Sequence, residues 1–164
     1  MTKIRATLQV AVPPAEAFSR FTQGLDGWWP PSGRVQGEPQ VFLECQPGGR
    51  WYERDATGSE CVWGRVLAWA PPHGLVLAWQ IGPDGGFDPD LHTELELSFL
   101  AISAKLTRVS LEHRHLERYG AAAAQQAAVL SSAVGWVGIL EGFARHCSLV
   151  AGGPTRLASK APNA

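Results

Sequence analysis

The sequence has no excess of basic charge. Its 14 Lys and Arg stand against 15 Asp and Glu, a formal net charge of −1. That balance excludes recognition of nucleic acid or of an anionic membrane by charge. Charge of either sign is scarce, at 18% of residues against 45% hydrophobic, which excludes a disordered chain. Cysteine is scarce as well. Cys45, Cys61 and Cys147 are odd in number and have no paired spacing, so they read as reduced thiols of a cytoplasmic protein, not as a disulfide frame or a zinc site. There is no long hydrophobic run. The most apolar stretch, Ala127 to Leu140, is too short to span a bilayer and contains Ser131 and Ser132. Met1 to Thr7 carries no apolar segment of the signal-peptide kind. What the chain does have is tryptophan, seven in 164 residues. Indole is large and its N–H needs an acceptor, so it is rarely buried completely. Several of these rings are expected to line a space that ordinary core side chains do not fill.

Residues 1–150 read as a single domain and 151–164 as a mobile tail containing Gly, Pro, Ser and Lys. Ile4, Ala6, Leu8 and Val10 alternate with polar residues, which predicts a half-buried strand. Pro13-Pro14 ends it, and Pro14 opens a short helix over Ala15–Thr22. Gly24, Gly27 and Pro30-Pro31 break up the region around Trp28-Trp29. Turn residues then separate six strands: Val41–Cys45, Arg50–Asp55, Glu60–Trp69, Leu75–Ile81, His92–Phe99 and Leu106–His115. Hairpin-length turns make them mostly antiparallel. The connection Ala101–Lys105 has no Gly, Asn or Pro and leaves its register open. Val129, Ala133, Trp136, Leu140, Phe143 and Cys147 form one apolar stripe on a helix predicted from about Ala121 to Ser148, weakened by Gly135, Gly138 and Gly142. A helix from Gln125 to Cys147 would be about 35 Å long. Only it is long enough to cover the sheet, and a curved sheet around a helix leaves a gap between them.

The ordered series Pro13-Pro14-Ala15-Glu16-Ala17-Phe18, Trp28-Trp29-Pro30, Pro47-Gly48-Gly49-Arg50-Trp51-Tyr52-Glu53, Trp63-Gly64-Arg65-Val66, Pro71-Pro72-His73-Gly74-Leu75, Thr107 to His113 and Gly135 to Leu140 resembles a START-like domain. Within the SRPBCC superfamily it is similar to the bacterial branch named after the activator of the heat-shock protein 90 ATPase, over residues 3 to 148. The resemblance implies an α+β helix-grip (START-like, Bet v-like) fold. Its curved antiparallel sheet of about seven strands would wrap around a long C-terminal helix, with two short helices after the first strand. It also implies an apolar cavity. The departure is Ala101–Lys105, where the family pattern favours a Gly-containing turn.

Strand parity puts Thr107, Val109, Leu111 and His113 on the core face. His113 is thus a polar anchor or an acid–base group at the end of an apolar row, or a core histidine bonded to its neighbours. His113-x-His115 could put two imidazoles on one metal, but no third ligand has a recognisable spacing and no metal is assigned. Arg50, Glu53, Arg54 and Asp55 read as a surface ion-pair ladder, with Glu53 on the face of Trp51 and the arginines on that of Tyr52. The expected ligand-binding set is Trp28, Trp63, Trp79, Phe99, Leu111, His113 and Trp136; Trp29, Trp51 and Trp69 read as packing or rim residues. No catalytic set and no cofactor is assigned. The reading is a cytoplasmic domain that binds a small hydrophobic or aromatic molecule between sheet and helix, with no nucleic-acid or membrane partner. A homodimer stays open. The alternatives are a co-chaperone-like module acting on an ATPase, and a cyclase- or hydrolase-type enzyme pairing His113 with a carboxylate such as Glu53.

Overall fold

A computed structural model describes residues 3–30 and 39–152, without the side chains of 149–152. Pro31 and, from residue 153 on, the expected tail lie outside the described residues. Seven strands form one antiparallel sheet: β1 (Ile4–Val10), β2 (Gln40–Leu43), β3 (Arg50–Arg54), β4 (Glu60–Ala70), β5 (Gly74–Trp79), β6 (Thr93–Ser103) and β7 (Leu106–Arg114). Their spatial order is β1-β7-β6-β5-β4-β3-β2. The chain therefore pairs each strand with its successor from β2 onward, and β7 returns to pair with β1. Period-two alternation carries this arrangement. On β7, Thr107, Val109, Leu111 and His113 are all buried, the face that parity assigned to the core. On β6, Thr93, Leu95, Leu97 and Phe99 are buried likewise.

Two short helices, α1 (Pro14–Thr22) and α2 (Leu25–Trp28), follow β1. Pro14 sits in the first helical turn, where its missing N–H costs nothing. α1 buries Ala17, Phe18, Phe21 and Thr22 against the sheet. The turn between β6 and β7 needs no glycine. β6 runs on to Ser103, past the expected end at Phe99, and Ala104-Lys105 alone make the reversal.

The C-terminal helix differs from the expectation. A 3-10 stretch (Leu116–Ala122) leads into α3 (Ala123–Leu130), and only after a break does α4 (Trp136–Gly152) begin. The break has local causes. Ser131 and Ser132 donate their hydroxyls to the carbonyls of Ala127 and Val129, competing with the helix ladder. At Gly135 a Cβ would stand 2.1 Å from the Leu130 carbonyl oxygen. The apolar stripe therefore starts at Trp136 and not at Val129, which is 48% exposed. Trp136, Leu140, Phe143 and Cys147 are buried as one face of α4. The 17 residues of α4 still extend about 25 Å across the concave side of the sheet. Among the described residues no helix is long and apolar enough to cross a membrane.

Candidate functional site

The tryptophans reach one interior region through an irregularity in β4. Trp51 pairs with Gly64 but Tyr52 pairs with Val62, so Trp63 is an extra residue on β4. This bulge turns Trp63 inward beside Gly64. Gly64 is required there: a Cβ would lie 1.6 Å from the Ala78 carbonyl oxygen on β5. Trp51 of β3, Trp63 of β4, Trp79 at the end of β5 and Trp136 at the start of α4 then meet, joined by Trp29 just after α2. Ring centroids lie 5.3 Å apart for Trp51–Trp63 and Trp51–Trp79, 5.2 Å for Trp79–Trp136 and for Trp29–Trp63. Most of these pairs are edge-to-face or tilted, the favourable arrangement for aromatic quadrupoles.

A chain of hydrogen bonds ties this cluster together. The Trp136 indole N–H donates to His113 Nδ1 at 2.9 Å. Thr93 Oγ1 lies 2.9 Å from His113 Nε2 and 2.7 Å from the Trp79 carbonyl oxygen. A hydroxyl has one hydrogen, and a carbonyl can only accept. Thr93 therefore donates to Trp79, and Nε2–H of His113 donates to Thr93. Indole is a donor only, so Nδ1 carries no proton. His113 is neutral, with both ring nitrogens engaged. Burial pushes its pKa down to about 3, in keeping with that assignment.

Glu53 is also inside. It is fully buried, and its Oε1 accepts the Trp63 indole N–H at 3.0 Å. The surface-ladder reading thus holds for the arginines and fails for Glu53. Arg50 bonds Glu44 and Glu60, Arg54 bonds Glu60, and Arg50 stacks on Tyr52 with 4.2 Å to the ring centroid. Asp55 instead closes the next turn by accepting from Thr57 and Ser59. Inward and outward sides of β3 were separable by parity, but the sequence carried no mark of which side faced α4.

The seven expected ligand-binding residues are all buried, and six of them fall into two groups. Trp63, Trp79, His113 and Trp136 stand together. Trp28 and Phe99 belong to a second aromatic group with Phe18, Phe21 and Phe143, where Phe21–Trp28 and Trp28–Phe143 centroids are 4.9 Å apart. Leu111 lies on β7 next to Leu97 of β6, on the sheet face between them. Trp29 and Trp51, read as packing or rim residues, are at the centre of the first group. Trp69 is half-buried, edge-on to Phe18, and borders a cavity of about 480 Å3 with Thr22, Cys45, Pro71 and Pro72. Thr93 was missed altogether. Its signal was available only through pairing, since it sits opposite Trp79 in the β5–β6 register. His115 does not join His113. It takes a left-handed conformation with φ of 68° and turns toward Glu94 and Glu117, at 3.8 and 3.6 Å.

A seven-stranded antiparallel sheet with α4 across its concave side, two short helices closing one end and an aromatic interior defines a helix-grip domain. The sequence model of the family described as activator of Hsp90 ATPase homolog 1-like protein matches residues 11–147, and the chain belongs to that family. Among solved structures, an anthrahydroquino-gamma-pyrone synthase is 34% identical with a TM-score of 0.63, over 88% of this chain and 96% of the other. The self-sacrificing resistance protein CalC from Micromonospora echinospora is 31% identical with a TM-score of 0.66, over 89% and 94%. An HSP90 activator from Plasmodium falciparum, 15% identical with a TM-score of 0.58 over 94% and 99%, shares the fold. No curated protein matches the chain.

Proposed function

We propose that this chain is a cytoplasmic domain that binds a small hydrophobic or aromatic molecule between the sheet and α4. One observation carries the reading: a carboxyl, an imidazole and a hydroxyl (Glu53, His113, Thr93) are buried among five tryptophans. A core built for stability alone gains little from such groups, because their desolvation offsets what their bonds return. Small-molecule sites have this composition, mostly aromatic walls with a few fixed polar groups. Trp63, Trp79 and Trp136 form the walls, and His113 holds two of them in place through Trp136 and Thr93. Trp28, Phe99 and Leu111 continue the apolar surface toward α1. The synthase relative supports the choice of ligand, since its name is that of an aromatic polycycle.

The enzyme alternative takes support from the same relative. It loses support from His113, whose two nitrogens are engaged by Trp136 and Thr93 while Glu53 serves Trp63. A co-chaperone role rests on the family description, without a feature of the site that favours it. The test is native mass spectrometry of the purified chain for a co-purified small molecule, with a panel of aromatic compounds read by tryptophan fluorescence. A saturable change in emission that Trp63→Phe weakens supports the reading. If no compound changes the emission, and Trp63→Phe alters stability alone, the reading is lost.

A further inference from the structure

The indole N–H of Trp51 has no hydrogen-bond partner, and it is the one such buried side-chain atom among the described residues. The ring is 1% exposed, so bulk water does not reach it. Other indoles of the interior are served: Trp63 by Glu53, Trp136 by His113, and Trp28 by the Arg20 carbonyl. A buried donor without an acceptor carries its full desolvation penalty, and natural interiors leave few of them. Trp51 also stands at the meeting point of Trp29, Trp63 and Trp79, with centroids 5.8, 5.3 and 5.3 Å away. The ring that carries the unmatched donor thus lies inside the aromatic cluster.

We propose that Trp51 Nε1–H is the group that recognises the ligand, and that the ligand is a neutral planar ring system bearing a carbonyl oxygen. This rests on the small-molecule reading above and narrows it. Indole nitrogen can only donate, so the ligand must bring a lone pair. A hydrocarbon has none to offer, and an ammonium cation has none either. An anion would bring lone pairs but also a charge. That charge would be stripped of water among indoles, beside a His113 whose two ring nitrogens are already engaged and which stays neutral. A ring ketone supplies an acceptor without that charge, and its flat π faces suit walls of indole edges and faces. The requirement makes Trp51 a specificity residue: apolar affinity comes from the walls, and selection among flat ligands comes from one hydrogen bond.

The experiment uses the whole chain labelled with 15N and three probes: chromone, which has a ring carbonyl; naphthalene, of like shape without an acceptor; and 2-naphthoate, an anion. The Trp51 indole resonance is assigned through its contacts in the unmutated protein, so the readout survives even if a variant fails to fold. Chromone is expected to shift that resonance downfield and saturably, and to bind about tenfold tighter than naphthalene. Trp51→Phe is expected to erase the preference for chromone over naphthalene. The anion is expected to bind more weakly than chromone. Equal affinity for chromone and naphthalene overturns the inference and leaves the small-molecule reading standing. So does a Trp51 resonance unmoved by bound chromone, which assigns the N–H to a resident water. Failure of every probe to bind overturns both readings.

Discussion

Trp136, the first residue of α4, donates its indole N–H to Nδ1 of His113 on β7 at 2.9 Å. This bond joins helix to sheet at the point where the C-terminal helix restarts. Through Thr93 it continues to the backbone of β5. The imidazole therefore acts as a coupler with one donor and one acceptor side, a role that the neutral ring fills and the cation does not.

Stability should fall with acid because of this histidine. Its pKa is about 3 in the folded chain against an ordinary value near 6.5. Between these values the unfolded chain binds a proton that the folded chain refuses. Stability is therefore complete above about pH 6.5 and is lost as pH falls toward 3. The contribution from this group amounts to about 2 kcal/mol between pH 7 and pH 5. Urea unfolding of wild type and His113→Gln at both pH values measures it. The variant starts less stable at pH 7 and loses about 2 kcal/mol less on acidification. Equal losses in the two proteins would sink the coupler argument.

Thr93 gives a cleaner probe of the same chain, because valine has nearly its shape. Thr93→Val leaves the His113 Nε2–H and the Trp79 carbonyl without their partner. A cost of about 2–3 kcal/mol is expected at neutral pH, read from the urea midpoint. Thr93→Ser keeps the hydroxyl and should recover most of it. If serine is no better than valine, the hydroxyl is not what the site requires.

The bulge in β4 makes a harder demand. A Cβ at Gly64 would sit 1.6 Å from the Ala78 carbonyl oxygen, which is backbone of the next strand and has no side-chain freedom. Gly64→Ala must part β4 from β5 or turn Trp63 out of the cluster. The expected loss is about 3 kcal/mol or more, or no soluble protein. Near-UV circular dichroism of any folded variant should show an altered tryptophan signal. A variant with wild-type stability and spectrum would contradict the close approach.

Parts of this architecture were legible in the sequence because they follow a single period. Alternation on β1 and β7 identified the inward face down to His113, and the spacing of Trp136, Leu140, Phe143 and Cys147 found the buried side of α4. What periodicity missed were the exceptions to it. The extra residue in β4 shifts parity, so the inward turn of Trp63 follows from a bulge and not from a count. The break at Ser131–Gly135 comes from hydroxyls that cap a helix from within, at positions where an apolar pattern continues undisturbed. Thr93 has no local signature, since its meaning lies in a partner 20 residues away. Glu53 looked like its charged neighbours, and only the placement of α4 makes its side of β3 the inner one.

Glu53 and Arg114 test that last distinction between a carboxyl inside and ion pairs outside. Arg114 bonds Glu94, Glu96 and Glu112 on the outer face of the sheet, with its side chain 23% exposed. Water and salt screen such a network, so Arg114→Ala should cost no more than about 1 kcal/mol, and less at 1 M NaCl. Glu53 accepts the Trp63 indole N–H in a dry place. Glu53→Leu would fill similar volume but strand the Trp63 indole N–H, at a cost of about 2–4 kcal/mol. Glu53→Gln keeps a side-chain oxygen for that N–H and should fall between wild type and the leucine variant. Urea titrations of all three at low and high salt separate the cases. The leucine penalty should persist in salt, because no ions reach the buried pair, while the alanine penalty should shrink. A leucine variant as stable as wild type would mean that the Trp63 indole finds another acceptor, and that the carboxyl is not part of the wall it supports.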